Sequence, residues 1–368
     1  MVCFATGRAA LVAGAVIVLL VAVAVPVLSI RLGSTGGDLS TLPKSIEGVA
    51  ALDVIDTKWP AGLNLTVDAI VTDAKSPASA AAIGAFADAL RAGKVDGVNG
   101  ATAAVAYSGD GTVADVSAAI PGNPNDAAAW ATVRAVRAAV PVYFGAAQAA
   151  GAKVYISGEA AFTMDYAAWY SGQIPLVLVF ILGMSFLLLL VIFHSLVIPI
   201  KAIALNLLSS GAAFGVLVLL FQEGWLKSLT GIRPDVIEAW SPAMVFAILF
   251  GLSMDYHVFI LTRVKEAHDR GLSSADAVVK GITLTAGVVT SAAVIMVCVF
   301  AAFFTVQLTM IQELGVGLAV AILVDATLVR SLLLPALMKM LGEWNWWLPW
   351  ALGWLPRLVI EGEPEVEL

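Results

Sequence analysis

Two carboxyl groups stand inside long apolar runs: Asp255 in Gly251-Leu-Ser-Met-Asp-Tyr-His257, and Asp325 in Leu323-Val-Asp-Ala326. An ionisable group at the centre of a bilayer costs roughly 2.5–3.5 kcal/mol even on the lenient insertion scale. It is therefore expected to face a protein interior or a water cavity and to mark a functional position. The chemistry open to such a pair is uptake and release of a proton as conformation changes. Tyr256 and His257 directly follow Asp255 and are candidate relay partners. Arg330 follows Asp325 by five positions, where its long stem favours snorkelling toward the interface over pairing with a carboxylate.

Depth connects these residues. Each aspartate lies about 12 residues after its apolar run begins, about 18 Å at 1.5 Å per residue. Thr290 and Ser291 sit about 7 residues from the inner end of an antiparallel run, about 10 Å up, in nearly the same layer. Ala247, Gly251 and Asp255 recur at i, i+4, as do Gly317, Ala321 and Asp325, and Thr283, Gly287 and Ser291. Small faces allow helices to approach closely, so Gly251, Gly287 and Gly317 are expected packing positions around one polar layer of carboxyls and hydroxyls.

The elements that must hold this layer are apolar runs of the length needed to cross about 30 Å of hydrocarbon. The first, from about Ala9 to Ile30, exceeds the 7–15 residues of a signal h-region and lacks a clean A-x-A site, so an uncleaved anchor is expected. Five more follow at about Ile174–Phe193, Ile200–Phe221, Pro242–Leu261, Leu284–Val306 and Leu314–Met338. With the N-terminus inside, Arg8, Lys201, Arg263, Lys265, Arg270, Lys280, Lys339 and Arg357 fall in cytoplasmic segments, against only Lys227 and Arg233 outside. An excess of basic residues marks the cytoplasmic side, in the plasma or inner membrane of the cell, so both termini are expected there.

Between the first two spans, residues 31–171 are polar, rich in Ala, Gly and Asp, and lack any spanning run. Leu63–Val71 alternates as a strand and Ser79–Ala92 is helical. Val98–Tyr107 and Thr112–Ile120 flank the turn Ser108-Gly-Asp-Gly111, an Asp-Gly hairpin signal. A second helix runs from its Asn125-Asp126 cap through Ala139, and Lys153–Ser157 closes the set as a strand. The order βαββαβ is the ferredoxin-like pattern. The expected architecture is thus an α-helical membrane protein of six spans with an inserted α+β ferredoxin-like domain outside the cytoplasm. Its parts are 1–30, an anchor; 31–171, the aqueous domain; 172–341, a five-helix bundle; and 342–368, a Trp-rich interfacial segment with an acidic tail.

Composition removes several function classes. The chain is 60% hydrophobic and 13% charged, with positive mean hydropathy, against about 25% charged residues in soluble domains. Its net charge of -7 argues against nucleic acid as a partner. Cys3 and Cys298 have no CxxC spacing, so neither a disulfide framework nor a zinc site is supported. Neither a Walker motif, HExxH nor GxSxG occurs, which leaves protons rather than ATP as the expected energy source, no cofactor, and no enzyme activity.

Gly158-Glu-Ala-Ala-Phe-Thr-Met-Asp-Tyr166, Phe193-His-Ser-Leu-Val-Ile-Pro199, Gly251–Tyr256 and the Trp-rich end, in this order, resemble the MmpL branch of the RND superfamily across nearly the whole chain. The resemblance implies a twelve-span transporter built from two repeats, each a helix, a porter domain and five more helices, of which this chain matches the second. It implies proton relay by an Asp-Tyr pair, here Asp255 and Tyr256, and export of lipids or hydrophobic small molecules. It also implies a partner for the missing repeat, either an N-terminal half-transporter chain or further copies of this one. An intramembrane aspartyl protease is disfavoured, because such enzymes carry Gly-x-Gly-Asp and the nearest glycine here precedes Asp255 by four positions. A lipid- or sterol-sensing or accessory subunit that does not pump stays open.

Overall fold

Uninterrupted apolar sequence gives helices, because in hydrocarbon every backbone polar group must be satisfied within its own segment. In the computed structural model six helices, among the described residues, are long and apolar enough to cross a membrane. The structure describes residues 8–35, 46–58, 65–225, 227, 235–306 and 308–355. Cys3, Leu63, Asn64, Arg233, Arg357 and the acidic tail 361–368 lie outside the described residues. The chain divides into two units: Met1–Arg31 with Gly172–Leu368, and Leu32–Ser171.

The second unit is a sheet backed by helices. In chain order the helices and strands are α1 (Ala9–Ala24) in the first unit, then α2 (Glu47–Lys58), β1 (Thr66–Thr72), α3 (Pro77–Arg91), β2 (Asn99–Tyr107), β3 (Val113–Ala119), α4 (Ala127–Ala149) and β4 (Val154–Ser157). The four strands form an antiparallel sheet in the order β2-β3-β1-β4. Strict alternation in β1 sends Val67, Ala69 and Val71 to one face, where Ala114, Val116 and Ala118 of β3 join them under α3 and α4. Phe86 and Phe144 meet edge-on at 5.3 Å in this core. The helix α3 begins two residues before the expected Ser79, because Ser76 caps it by accepting the Ser79 N–H at 3.2 Å and Pro77 fits the first turn. The helix α4 runs ten residues past the expected Ala139 and through Pro141. Buried Val136, Val140, Phe144 and Ala147 offset the lost backbone bond that normally ends a helix at proline.

The hairpin turn forms where Asp-Gly predicts it. Asp110 accepts from the Ser108 hydroxyl at 2.6 Å and from the Thr112 N–H at 3.1 Å, while Gly111 adopts φ +70°.

The membrane unit contains α1, then α5 (Glu159–Phe193) from Gly172 onward, α6 (Val197–Leu217), α7 (Ser241–Asp269), α8 (Ser274–Ala302), α9 (Thr309–Val324) and α10 (Leu334–Leu341). A stretch of π-helix, Asp325–Leu333, joins α9 to α10. The helix α5 starts 15 residues before the apolar run at Ile174, as one 35-residue helix. Only 17% of its spanning window is buried, and Leu189, Leu190 and Phe193 at its C-terminal end are the part packed away. By contrast α1 presses on α6 so closely that a Cβ on Gly215 would stand 1.8 Å from the Val23 carbonyl oxygen. Gln222 ties their far ends, accepting the Arg31 N–H at 2.8 Å and donating to the Ser29 carbonyl at 2.9 Å.

At the opposite end Asn345 is fully buried. Its amide nitrogen donates to the Met338 and Gly342 carbonyls, its side-chain oxygen accepts from Lys201 Nζ at 2.9 Å, and its backbone carbonyl accepts from Ser195 Oγ at 2.6 Å. Lys201, expected as a cytoplasmic charge, is therefore buried at a helix end. Trp344, Trp347, Trp350 and Trp354 remain exposed, whereas Trp346 stacks on His268.

Candidate functional site: a buried charge centre

The helices α6, α7 and α9 with its π-helical extension meet around Asp325 and Arg330, whose side chains are 3% and 5% exposed. Five positions apart on an α-helix lie about 140° apart around the axis, which would hold the two side chains apart. The π-helix widens the turn, so residues i and i+5 come to one side. Arg330 accordingly folds back and its Nη2 donates to Asp325 Oδ2, which corrects the snorkelling expectation. The same guanidinium nitrogen reaches the Ser253 carbonyl at 3.1 Å and the Ser253 hydroxyl at 3.2 Å. Its carbon lies 4.5 Å from the centre of the Tyr256 ring, a cation–π contact.

Ser253 is the junction of this centre. Its hydroxyl lies 2.9 Å from Asp325 Oδ2 and 2.7 Å from Asn206 Oδ1, and it has one proton to give. Asn206 Nδ2 has no partner. Exchanging the two ends of that amide lets Nδ2 donate to Ser253 and frees the hydroxyl proton for Asp325, the orientation the network favours. His257, one turn further along α7 and fully buried, places Nδ1 3.0 Å from the Ser253 carbonyl and leaves Nε2 without a partner. Asp325 Oδ1 is likewise unpartnered. A cavity of about 10 Å³, lined by Ser253, Tyr256, Asp325 and Arg330 among others, adjoins the centre. That is about the size of one water.

Asp255 is elsewhere. Residues two apart on an α-helix lie about 200° around the axis, so a helix that turns Ser253 and His257 inward turns Asp255 outward. It is exposed, on a face with Ala247, Gly251 and Phe259. Tyr256 is half-buried between the two faces and also meets Met296 of α8 at 3.8 Å. Thr290, Ser291 and Gly287 are exposed on α8, the Ser291 hydroxyl being spent on the Val288 carbonyl at 3.0 Å. Of the three small-residue faces only that of Gly317 is packed: a Cβ there would lie 3.0 Å from Leu217 Cδ1, whereas Gly251 and Gly287 have nothing within 4 Å. The structure thus brings Asp325, Arg330, Tyr256 and His257 together and leaves Asp255, Thr290 and Ser291 on an open surface. Asn206 and Ser253 were not singled out from sequence. Their signal is that each is a polar residue inside an apolar run, and Ser253 shares its face with His257.

Six apolar helices with an ion pair buried among them define a multi-pass membrane protein. The chain belongs to the MMPL family, whose model matches residues 40–359. It is 40% identical over 260 residues to the mycolic acid-containing lipids exporter MmpL11 of Mycolicibacterium smegmatis, covering 71% of this chain and 26% of that protein. It is 34% identical over 346 residues to the putative membrane protein SCO6666 of Streptomyces coelicolor, covering 93% of this chain and 45% of the relative. With the trehalose monomycolate exporter MmpL3 of M. smegmatis it shares 35% identity over 208 residues, 56% of this chain and 20% of the relative. The chain therefore matches about a quarter of the length of MmpL11 and less than half of SCO6666.

Proposed function

We propose that this chain is one six-helix half of a proton-driven MmpL-type exporter of lipids or hydrophobic small molecules, with Asp325 and Asp255 as its proton carriers. The observation that carries the proposal is the buried Asp325–Arg330 pair held by Ser253. Protonating Asp325 dissolves the pair and leaves Arg330 to the Ser253 carbonyl and the Tyr256 ring, so one proton changes how α7 and the π-helical segment are held. Ser253 and Tyr256 orient the two charges, and the adjoining cavity offers a place for a water that delivers the proton.

The open face at Asp255 supports a partner. A carboxylate facing lipid is costly, and the unfilled small residues Gly251 and Gly287 beside it suit close approach by other helices. A second six-helix unit, from an N-terminal half-transporter chain or another copy, fits that face. The sheet order β2-β3-β1-β4 with two helices on one face supports a ferredoxin-like porter domain. In the proposed orientation that domain is extracytoplasmic and both termini are cytoplasmic, as the basic residues favour.

The test is proton-gradient-dependent export of a fluorescent hydrophobic dye from vesicles containing the chain with its native partners. Wild type is expected to export, while Asp325→Asn and Asp255→Asn are expected to fail. Gradient-independent lipid binding that neither substitution alters would instead identify a non-pumping sensor or accessory subunit.

A further inference from the structure

Glu313, Gly317, Ala321 and Asp325 recur every fourth residue along α9 and into its π-helical extension, a row that drifts about 40° around the axis at each step. Glu313 is fully buried near the start of that helix. Its Oε2 accepts the backbone N–H of Glu238 at 3.0 Å, and its Oε1 has no hydrogen-bond partner among the described residues. Glu238, in the extended segment ahead of α7, is itself only 2% exposed. The charged groups that act on Glu313 are Glu238 and Asp235, both acidic. Ser241, the first residue of α7, is buried against Glu313 with its hydroxyl outside hydrogen-bonding geometry.

Such a carboxyl needs an explanation. Burying a lone charge is far more costly than burying a neutral group, and two buried carboxyls that feel each other are better accommodated sharing a proton than both ionised. Asp325 has its arginine; among the described residues the groups that act on Glu313 are the carboxyls of Glu238 and Asp235 and the hydroxyl of Ser241. Twelve residues of α9 separate the two acids, about 18 Å at 1.5 Å per residue. Gly317 and Ala321 stand between them in that row, and Leu217 and Val245 close on Gly317. Glu313 and Asp325 are thus two buried acids at different depths of one continuous helix, with a packed seal between them.

We propose that Glu313 is the outer proton-loading group of this protein. Its Oε1 takes a proton from the aqueous side and gives it up toward the Asp325 carboxylate when the Gly317–Leu217–Val245 seal loosens, which returns Glu313 to its ionised form for the next proton. This rests on the proton-driven function proposed above.

The experiment is infrared difference spectroscopy of the full chain in lipid nanodiscs, stepped from neutral to alkaline buffer. A carbonyl stretch of a protonated carboxylic acid is expected to titrate in wild type, to persist in Asp325→Asn and to vanish in Glu313→Gln. A band that survives Glu313→Gln, or the absence of any titrating band, overturns the assignment. Should Glu313→Gln fail to fold, Glu238→Gln serves in its place: it is expected to move the midpoint of the band, and an unmoved midpoint overturns the assignment. The spectrum does not depend on export. An intact band in a chain that exports no dye counts against the exporter and not against Glu313 as a proton-holding group.

Discussion

Asp255 and Asp325 sit on helices of the same unit in similar apolar surroundings, yet one is exposed and the other is locked to an arginine. The difference comes from helix phase. On α7 the inward face is set by Leu249, Ser253, His257 and Ile260, which leaves Asp255 opposite them. The π-helical stretch, by contrast, rotates Arg330 onto Asp325. The two acids are therefore finished differently: the chain encloses Asp325 by itself and leaves Asp255 exposed, the face on which the proposed partner would sit.

The largest test of this contrast is Arg330→Met. It strands a buried carboxylate, and breaking one partner of a buried pair costs about 3–5 kcal/mol. Thermal unfolding in detergent is expected to register that loss and to recover most of it when Asp325→Leu is added. A single substitution with no effect on unfolding would mean that Asp325 does not depend on its arginine.

Next come the glycines. Gly215→Ala places a methyl group against the Val23 carbonyl and is expected to cost about 1–3 kcal/mol, the usual penalty of overpacking. Gly251→Ala, on the open face, is expected to change unfolding of the isolated chain by less than about 0.5 kcal/mol. Equal costs at the two positions would show that the Asp255 face is already covered.

Asp255→Asn itself is expected to leave unfolding of the isolated chain within about 0.5 kcal/mol of wild type while abolishing export. If it melts the chain as Arg330→Met does, the two acids are alike after all.

The smallest effect lies in the aqueous unit. There Asp115 is held above the usual carboxylate range, first by burial and then by the charge of Asp68. Its folded form binds a proton more readily than the unfolded chain, so its contribution to stability falls as pH rises through the folded value. Asp115→Asn is expected to flatten a shallow decline in the melting temperature of this unit as pH rises from the ordinary aspartate range. Asp110, drawn down to about 2 by the Ser108 hydroxyl and then the Thr112 N–H, works in the opposite sense. Its contribution is present above the ordinary aspartate range and disappears as pH falls toward that value.

Periodicity and length made the six helices and four strands legible, because both are local properties that side-chain spacing records. Boundaries were less so. Tertiary burial carried α4 across Pro141, and the helix entering the second span began well before its apolar run. At the site, rarity pointed to Asp325 and Asp255, and neighbouring letters pointed to Tyr256 and His257. The Asp325–Arg330 pair was hidden because α-helical spacing holds i and i+5 apart, and only a π-helix joins them. Ser253 and Asn206 were hidden because a lone hydroxyl or amide in an apolar run can satisfy itself on its own backbone. Glu313 stood one step beyond the Gly317–Ala321–Asp325 face that spacing identified.

The helix α5 leaves one last consequence. Across its apolar stretch it is packed only near its C-terminal end, so the middle of the helix meets lipid rather than neighbouring helices of this chain. Mismatch between a helix and its bilayer costs fractions of a kcal/mol per Å, enough to bias a helix so lightly held across the hydrocarbon. The thickness of the host membrane would thus act as a mechanical input to this protein, with α5 as its lever.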